Sequence, residues 1–370
     1  MDTPTLPALV MDNGSGNCRA GFAGTDVPQI VFPSVVSSPR LLSGGDRAGH
    51  GHSYVGSEAQ QQRDILALRY PIERGIITHW EGLEQIWWHS YTLLGVVPGE
   101  HPVLLTERPL NISWNRERTA QILFETFHSP SLALAQQSVL ALLASGLTTG
   151  LVMDSGDTLT IPVPVSEGWS LPQGILWVLF SGHDLTNYLA KMLSEKGGTP
   201  VADPVIMQDI KEKLCYVAWD VEQEKSRPVT SSSSYTLPDG QVLTLGRERF
   251  LCPETLFNPI LMDYESSGVH EIIFHAIMKC DPAIRGTLFS HTVLCGGNTL
   301  FPGTMGRLQK EMAELVPHTA DVQILALPER QLSAWCGGSA LASLSSFGKR
   351  CISRQEYEKT GPAIVHQKTY

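Results

Sequence analysis

Runs of like charge are missing from the 370 residues, charged side chains make up only 17% of them, and acids outnumber bases by 37 to 27. A net charge of −10 spread in this way makes a nucleic-acid backbone a poor direct partner and favours solubility. Long apolar runs are missing too. Residues 1–14 carry an acid at Asp2 and break their apolar run at Asp12, and the longest apolar stretch elsewhere is 175–180. Both fall far short of the ~20 residues that a bilayer demands. The chain is therefore expected inside the cell, cytoplasmic and without membrane insertion. Its seven cysteines (Cys18, Cys215, Cys252, Cys280, Cys295, Cys336 and Cys351) form no CxxC pair. That spacing argues against a zinc site or a disulfide framework and leaves reduced, mostly buried thiols. What the chain has in quantity is hydrophobic residues, 42%, enough for a large core in two or three domains.

Leu-Val-Met-Asp occurs twice, at 9–12 and at 151–154, each time ahead of a turn of Gly and Ser. Both runs are short, apolar and bounded by turn residues, as expected of strands buried on both faces. Apolar residues then return, as Ile30, Val31 and Phe32 after the first turn and as Leu159, Ile161, Val163 and Val165 after the second. Each copy is expected to fold back as a hairpin. Apolar spacing predicts helices over 115–128 and over 131–146, the second stopped by Gly146. A third is expected from Pro204, with Asp209, Lys211, Glu212 and Lys213 on a charged face. The sequence "TVLCGGNTLFPGTMGRLQKEMAEL" reads as strand, Gly-Gly turn and a helix from about Pro302. Residues 226–241 read as a surface loop running into a Pro-Asp-Gly turn.

A strand that ends in Asp and turns through Gly and Ser exposes backbone N–H groups with no side chain in the way, which makes an anion site. Two such turns can grip one polyphosphate. Asp12 and Asp154 would repel phosphates directly, so they make sense beside phosphate only with a divalent cation and its waters between. One Gly/Ser turn would be weak evidence; the duplication is what gives the signal weight.

The segments "DNGSGNCRAGFAG", "YPIERGIITHWEGLEQIW", "LLTERPLN", "TTGLVMDSGD", "DIKEKLCYVA", "PDGQV", "CPETLF", "GVHE", "IMKCD", "GGSALASLSSF" and "GPAIVH" resemble actin, in actin's order and at nearly its spacing. The resemblance runs from Leu9 to Tyr370 and is similar to a divergent actin-related protein rather than to a conventional actin. It implies the α/β actin/Hsp70/sugar-kinase fold, two similar α/β domains around a nucleotide cleft, each with an outer subdomain. The small domain would be 1–144 plus 333–370, with an outer loop subdomain at about 34–70. The large domain would be 145–332, with an outer subdomain at about 181–264. The implied cofactors are ATP or ADP with Mg²⁺ or Ca²⁺. Position by position, the resemblance implies a phosphate grip of Gly14, Ser15, Gly16, Asn17 and Arg19 with Gly156, Asp157 and Thr158. Gly182, Lys211, Glu212, Gly297 and Phe301 would face the ribose and adenine. Asp12 and Asp154 would hold the metal through water, and Gln137, which would help place the attacking water, forms with Asp154 the candidate catalytic pair.

Departures from the family pattern are concentrated at chemically important positions. Ile161 stands where actins carry a histidine, and it can neither relay a proton nor orient water, a loss of about 10²–10⁴-fold for a group of that kind. Arg19 replaces a lysine, keeping the charge but not the geometry. Thr158 replaces a turn glycine and adds a Cβ where backbone approaches phosphate. Gln208 and Gln331 replace basic residues, and Arg74 replaces the histidine that actin methylates. Actin's acidic N-terminus is reduced to Asp2. In the loop that in actin reaches the next subunit, apolar character is lost beyond Leu41 and Leu42, and Gly44, Gly45, Gly49 and Gly51 make ordering costly. His50 and His52 read as solvated loop histidines rather than ligands. Residues 258–268 keep apolar character where actin's filament-stabilising plug lies.

Two functional classes follow. One is a nucleotide-binding assembly component of a specialised cytoskeletal complex, with weak or no ATP hydrolysis and with actin-like or cytoskeletal partners. The other is a polymerising ATPase like conventional actin. A subunit of a nuclear chromatin-associated complex is a further alternative, and the pattern of divergence resembles germ-cell actin-like proteins. Ile161 and the glycine-rich loop favour the first class and make a homopolymer unexpected.

Overall fold

The computed structural model describes residues 6–39, 53–178, 180–196, 203–227, 232–316 and 321–368. Asp2 and the glycine-rich loop, with Leu41, Leu42, His50 and His52, lie outside the described residues. The chain divides into two compact units, residues 1–147 with 332–370 and residues 148–331.

In the first unit a six-stranded sheet is built around the strand Leu9–Asn13. That strand pairs antiparallel with Asn17–Phe22 on one side and parallel with Val103–Glu107 on the other. The sheet continues through Ser131–Gln136, parallel, to the short edge strand Ile352–Ser353, while Ile30–Pro33 closes the opposite edge. Alternation sorts the central strand between two cores. Leu9 and Met11 pack with Trp87, Tyr91, Leu105 and Phe127, whereas Val10 packs with Leu104, Leu140 and Trp335. Burial on both faces explains why the run carries no polar residue before Asp12. The buried indole of Trp335 donates to the Val10 carbonyl at 3.0 Å, so the second core also closes a polar account.

The second unit repeats the plan. Gly150–Ser155 pairs antiparallel with Thr160–Ser166 and parallel with Thr292–Cys295 in a five-stranded sheet. Leu151 and Met153 enter a core with Phe180, Leu185, Leu189, Ile210 and Leu294. Both copies of Leu-Val-Met-Asp are thus central strands, each hairpinned to the next strand in the chain.

Helices Ser113–Gln121 and Pro204–Leu214 form where the pattern predicts them. The first passes into a π-helical turn at Ile122–Thr126, whose Phe124 ring stacks on Tyr357 at 4.5 Å. Asp203 caps the second, its side chain accepting from the Val205 N–H. The helix expected over 131–146 needs correction. Its first half, Ser131–Gln136, is a strand, and only Gln137–Ala144 is helical before Gly146 turns at φ 75°. Leu132, Ala133, Leu134 and Ala135 are buried on both faces between two neighbouring strands, and such a run has no period that separates strand from helix. The surface loop expected over 226–241 also contains a strand, Ser233–Thr236, which pairs with Val242–Leu245 around the Pro-Asp-Gly turn. Residues 228–231 of that stretch lie outside the described residues.

Helix Ser333–Ala342 crosses helix Gln137–Ala144 at contact distance, and Gly337 permits it. A Cβ there would lie 1.9 Å from the Leu140 carbonyl oxygen. Gly337→Ala is expected to cost at least ~1–3 kcal/mol through overpacking against rigid backbone. Thermal unfolding should shift down by roughly 2–4 °C per kcal/mol; an unchanged midpoint would show that the helices have room to part.

Candidate functional site

The first Asp-turn is assembled around one carboxylate. Asp12, the penultimate residue of its strand, is 2% exposed. Its Oδ1 accepts from the Thr106 hydroxyl at 2.7 Å and from Gln137 Nε2 at 2.8 Å, and its Oδ2 accepts from Arg19 Nη1 at 3.0 Å. Arg19 reaches it because the two residues are opposite partners in the hairpin ladder. Gln137 is the first residue of its helix, and Thr106 lies near the end of the neighbouring parallel strand. Three elements therefore converge on a buried charge, which would otherwise be strongly unfavourable.

The turn itself is tight. The Gly14 N–H donates to the Asn17 carbonyl at 3.1 Å, and a Cβ on Gly14 would lie 2.7 Å from that oxygen. Ser34 ties it from outside, its hydroxyl donating to the Gly14 carbonyl at 2.7 Å and its N–H to the Gly16 carbonyl at 2.9 Å. The Ser15 hydroxyl accepts from the Gly75 N–H at 3.3 Å. Beside Gln137 and Thr106 lies a cavity of about 40 Å³, also lined by Asn13, Trp87 and Asn111 and large enough for a water.

The second Asp-turn is braced through its backbone. Gly156 donates to the Leu159 carbonyl at 2.8 Å. Its own carbonyl accepts from the Gly182 N–H at 3.1 Å and from Asn298 Nδ2 at 2.7 Å. Asn298 also reaches the Ser155 hydroxyl at 3.1 Å, which in turn pairs with the Thr160 hydroxyl at 2.9 Å. Gly296, at φ 85°, fits against this turn because a Cβ would lie 2.3 Å from the Ser155 carbonyl oxygen and 2.6 Å from Asp154 Oδ1. No other residue type fits that position without displacing the aspartate.

Lys211 is 3% exposed and donates to the Gly182 carbonyl at 2.7 Å and to the Thr186 hydroxyl at 2.9 Å. Burial holds its pKa below the ordinary 10.5. Burial likewise raises the Asp157 carboxyl, an effect that Lys211 partly offsets. The Asp157 carbonyl accepts from the His183 N–H at 2.8 Å, which ties the turn to the start of helix Gly182–Glu195. Gly182 opens that helix, Ser181 and Asp184 forming its capping box. Gly297 begins a short 3-10 turn with open space over its Cα, and Phe301 caps the turn from a buried position. Glu212 is exposed and accepts from Gln208 at 2.8 Å.

The first unit thus brings Asp12, Gly14, Ser15, Gly16, Asn17, Arg19 and Gln137 together, and the second brings Asp154, Gly156, Asp157, Thr158, Gly182, Lys211 and Gly297 together. Thr106, Gly296 and Asn298 are further site residues that the sequence did not announce. Among the described residues no three His, Cys, Asp or Glu side chains cluster as a metal cage. Three donors already occupy Asp12, against about four acceptor positions, so the carboxylate keeps room for one water of a divalent ion, with Arg19 as a competing counter-charge. The Gly14 and Gly156 N–H groups are already engaged within their own turns, whereas Gly297 has open space over its Cα.

Two outcomes follow. Thr106→Val should cost about 1–3 kcal/mol, because it removes a donor from a buried carboxylate; a thermal midpoint equal to wild type would contradict the Asp12 network. For Lys211 the folded pKa is depressed, so the unfolded chain binds more protons just below 10.5. Stability should therefore rise with pH in that window, reach its full value above 10.5 and fall as pH drops through the folded pKa. Lys211→Met should flatten that slope in denaturant titrations, and an unchanged slope would contradict the burial of its charge.

Across residues 3–370 the chain matches the family model described as Actin. The match covers both Asp-turns, the strands that carry them and the helices that brace them. The chain belongs to the actin family and is an actin-like nucleotide-binding protein, in a family whose members generally bind nucleotide with a divalent metal.

Proposed function

We propose that this chain is a nucleotide-binding subunit of a specialised cytoskeletal assembly that hydrolyses ATP slowly or not at all. The observation that carries the reading is Ile161. It is the ladder partner of Asp154 and is 1% exposed, so an aliphatic side chain occupies a buried place beside the second turn. Nothing in that side chain can accept a proton or hold a water. ATP or ADP would lie with its phosphates on residues 14–17 and 156–158, with Lys211, Gly182, Gly297, Phe301 and Glu212 toward the nucleoside. Mg²⁺, or Ca²⁺, would be reached through water by Asp12 and Asp154, and when bound it would screen phosphate charge. Arg19 beside Asp12 supports a lower dependence on that ion. Partners would be other actin-like or cytoskeletal proteins in the cytoplasm, and the glycines of the 40–52 stretch argue against a homopolymer.

A second reading, a polymerising ATPase, has one observation in its favour. Gln137, the residue for placing an attacking water, is held 2.8 Å from Asp12 beside a cavity that admits a water. Turnover separates the readings. Purified protein should carry extractable ATP or ADP, and a ligand at 100 times its Kd should stabilise the fold by ~2.7 kcal/mol. Single-turnover hydrolysis should be slow, and Ile161→His should speed it by about tenfold or more if Gln137 is sound. Turnover equal to that of filamentous actin in the unmodified chain would overturn the slow-hydrolysis reading, and the absence of both bound nucleotide and a Mg-ATP thermal shift would overturn nucleotide binding.

A further inference from the structure

Away from the two Asp-turns, the second unit carries an open basin of about 730 Å³. Its rim holds three cations, Lys213, Arg227 and Arg249, against one carboxylate, Glu224. Its apolar lining comes from the half-buried Leu214 and the exposed Pro302, with Val217 buried among the core side chains. This is an unusual balance for a chain whose net charge is −10.

The basin is rigidly built. Val217 donates to the Pro302 carbonyl at 2.8 Å, and Tyr216 donates to the Arg249 carbonyl at 3.0 Å. Gly303 turns beneath at φ 91°, where a Cβ would lie 2.3 Å from the Val217 carbonyl oxygen. Arg249 Nε donates to the Leu214 carbonyl at 3.0 Å, and its guanidinium lies 5.1 Å from the centre of the Tyr216 ring. Glu224 is committed on both oxygens, accepting from the Tyr216 hydroxyl and from Arg227 Nη1, each at 2.8 Å. Burial and that carboxylate push the Tyr216 phenol up to about 12, so it remains a neutral donor. Lys213 sits 2.6 Å from Asp209, just outside the rim. Counting Asp209 with Glu224, the basin keeps an excess of one positive charge. Lys213 and Arg227 still present 62% and 65% of their side chains to solvent. Lys225, next to Glu224 in the chain, pairs with Glu222, and Arg247 donates to the Lys225 carbonyl.

We infer that this basin is a docking site for an acidic, partly apolar segment of a partner protein, its carboxylates meeting Lys213 and Arg227 and its apolar side chains covering Leu214 and Pro302. Charge complementarity selects this occupant. The acidic chain repels an acidic partner elsewhere, and an apolar lining inside a cationic rim suits a peptide that alternates the two characters. Lys213 and Pro302 directly follow the nucleoside-facing Glu212 and Phe301 in the chain, but none of the nucleotide-facing residues proposed above lines the basin, so the inference does not depend on hydrolysis.

Fluorescence anisotropy with a labelled Asp-Leu-Glu-Phe-Asp peptide tests it, using the full chain in saturating Mg-ATP so that the nucleotide site is filled. Saturable binding is expected, at least tenfold weaker for the Asn-Leu-Gln-Phe-Asn control and weakening as salt rises. Lys213→Gln and Arg227→Gln should each weaken it several-fold, and the double variant should abolish it. Both side chains are solvated, so circular dichroism and the thermal midpoint should stay unchanged and separate lost docking from lost fold. Absence of saturable binding, equal binding of the two peptides, or wild-type binding by the double variant would overturn the inference. Full displacement by inorganic phosphate at matched ionic strength would assign the basin to small anions and overturn it too.

Discussion

The carboxylate of Asp12 is the constraint around which the first unit is arranged. A buried charge is tolerated only with donors on it, and here they come from a hairpin partner, a parallel strand and a helix start. Those three contacts fix the register of Leu9–Asn13 against its neighbours and set the direction in which the following turn leaves the sheet. The same contacts satisfy the aspartate internally. An ion approaching it through water therefore competes with Arg19, a covalently tethered cation that no buffer removes.

The second turn meets the same need differently. Its restraints fall on backbone and hydroxyl groups, through Asn298, Gly182 and the close approach of Gly296 to Asp154. Lys211 supplies the positive charge nearby, yet burial lowers its pKa and its Nζ already has two oxygen partners. The repeat has thus diverged in function of its parts. One copy is organised by a neutralised carboxylate, the other by a glycine-lined backbone cradle. Beside the second, Ile161 fills a ladder position that could otherwise have carried a proton-transferring side chain.

Much of this was legible in the sequence because it is local. Two copies of Leu-Val-Met-Asp before Gly/Ser turns foretold two hairpins, and both are present with Asp12 opposite Arg19 and Asp154 opposite Ile161. The helix at Pro204 was legible from its proline, but Lys211, expected on its charged face, is buried, and the capping role of Asp203 emerged only from the structure. The strand at Ser131–Gln136 was not, since an unbroken apolar run states burial without stating period. Thr106 and Asn298 were hidden for another reason. They meet their turns from 94 and 142 residues away, and nothing local in "LLTERPLN" or "CGGNTLF" says where a hydroxyl or an amide will point. Gly296 looked like an ordinary turn residue until its clearance to Ser155 and Asp154 was known.

The proposal that nucleotide engages residues of both turns is tested most directly by amide hydrogen exchange with and without Mg-ATP. Nucleotide should slow exchange together at residues 14–18 and 155–159, in the unmodified chain and at the same ligand concentration. Protection confined to one turn, or absent from both while ATP is demonstrably bound, would contradict the account.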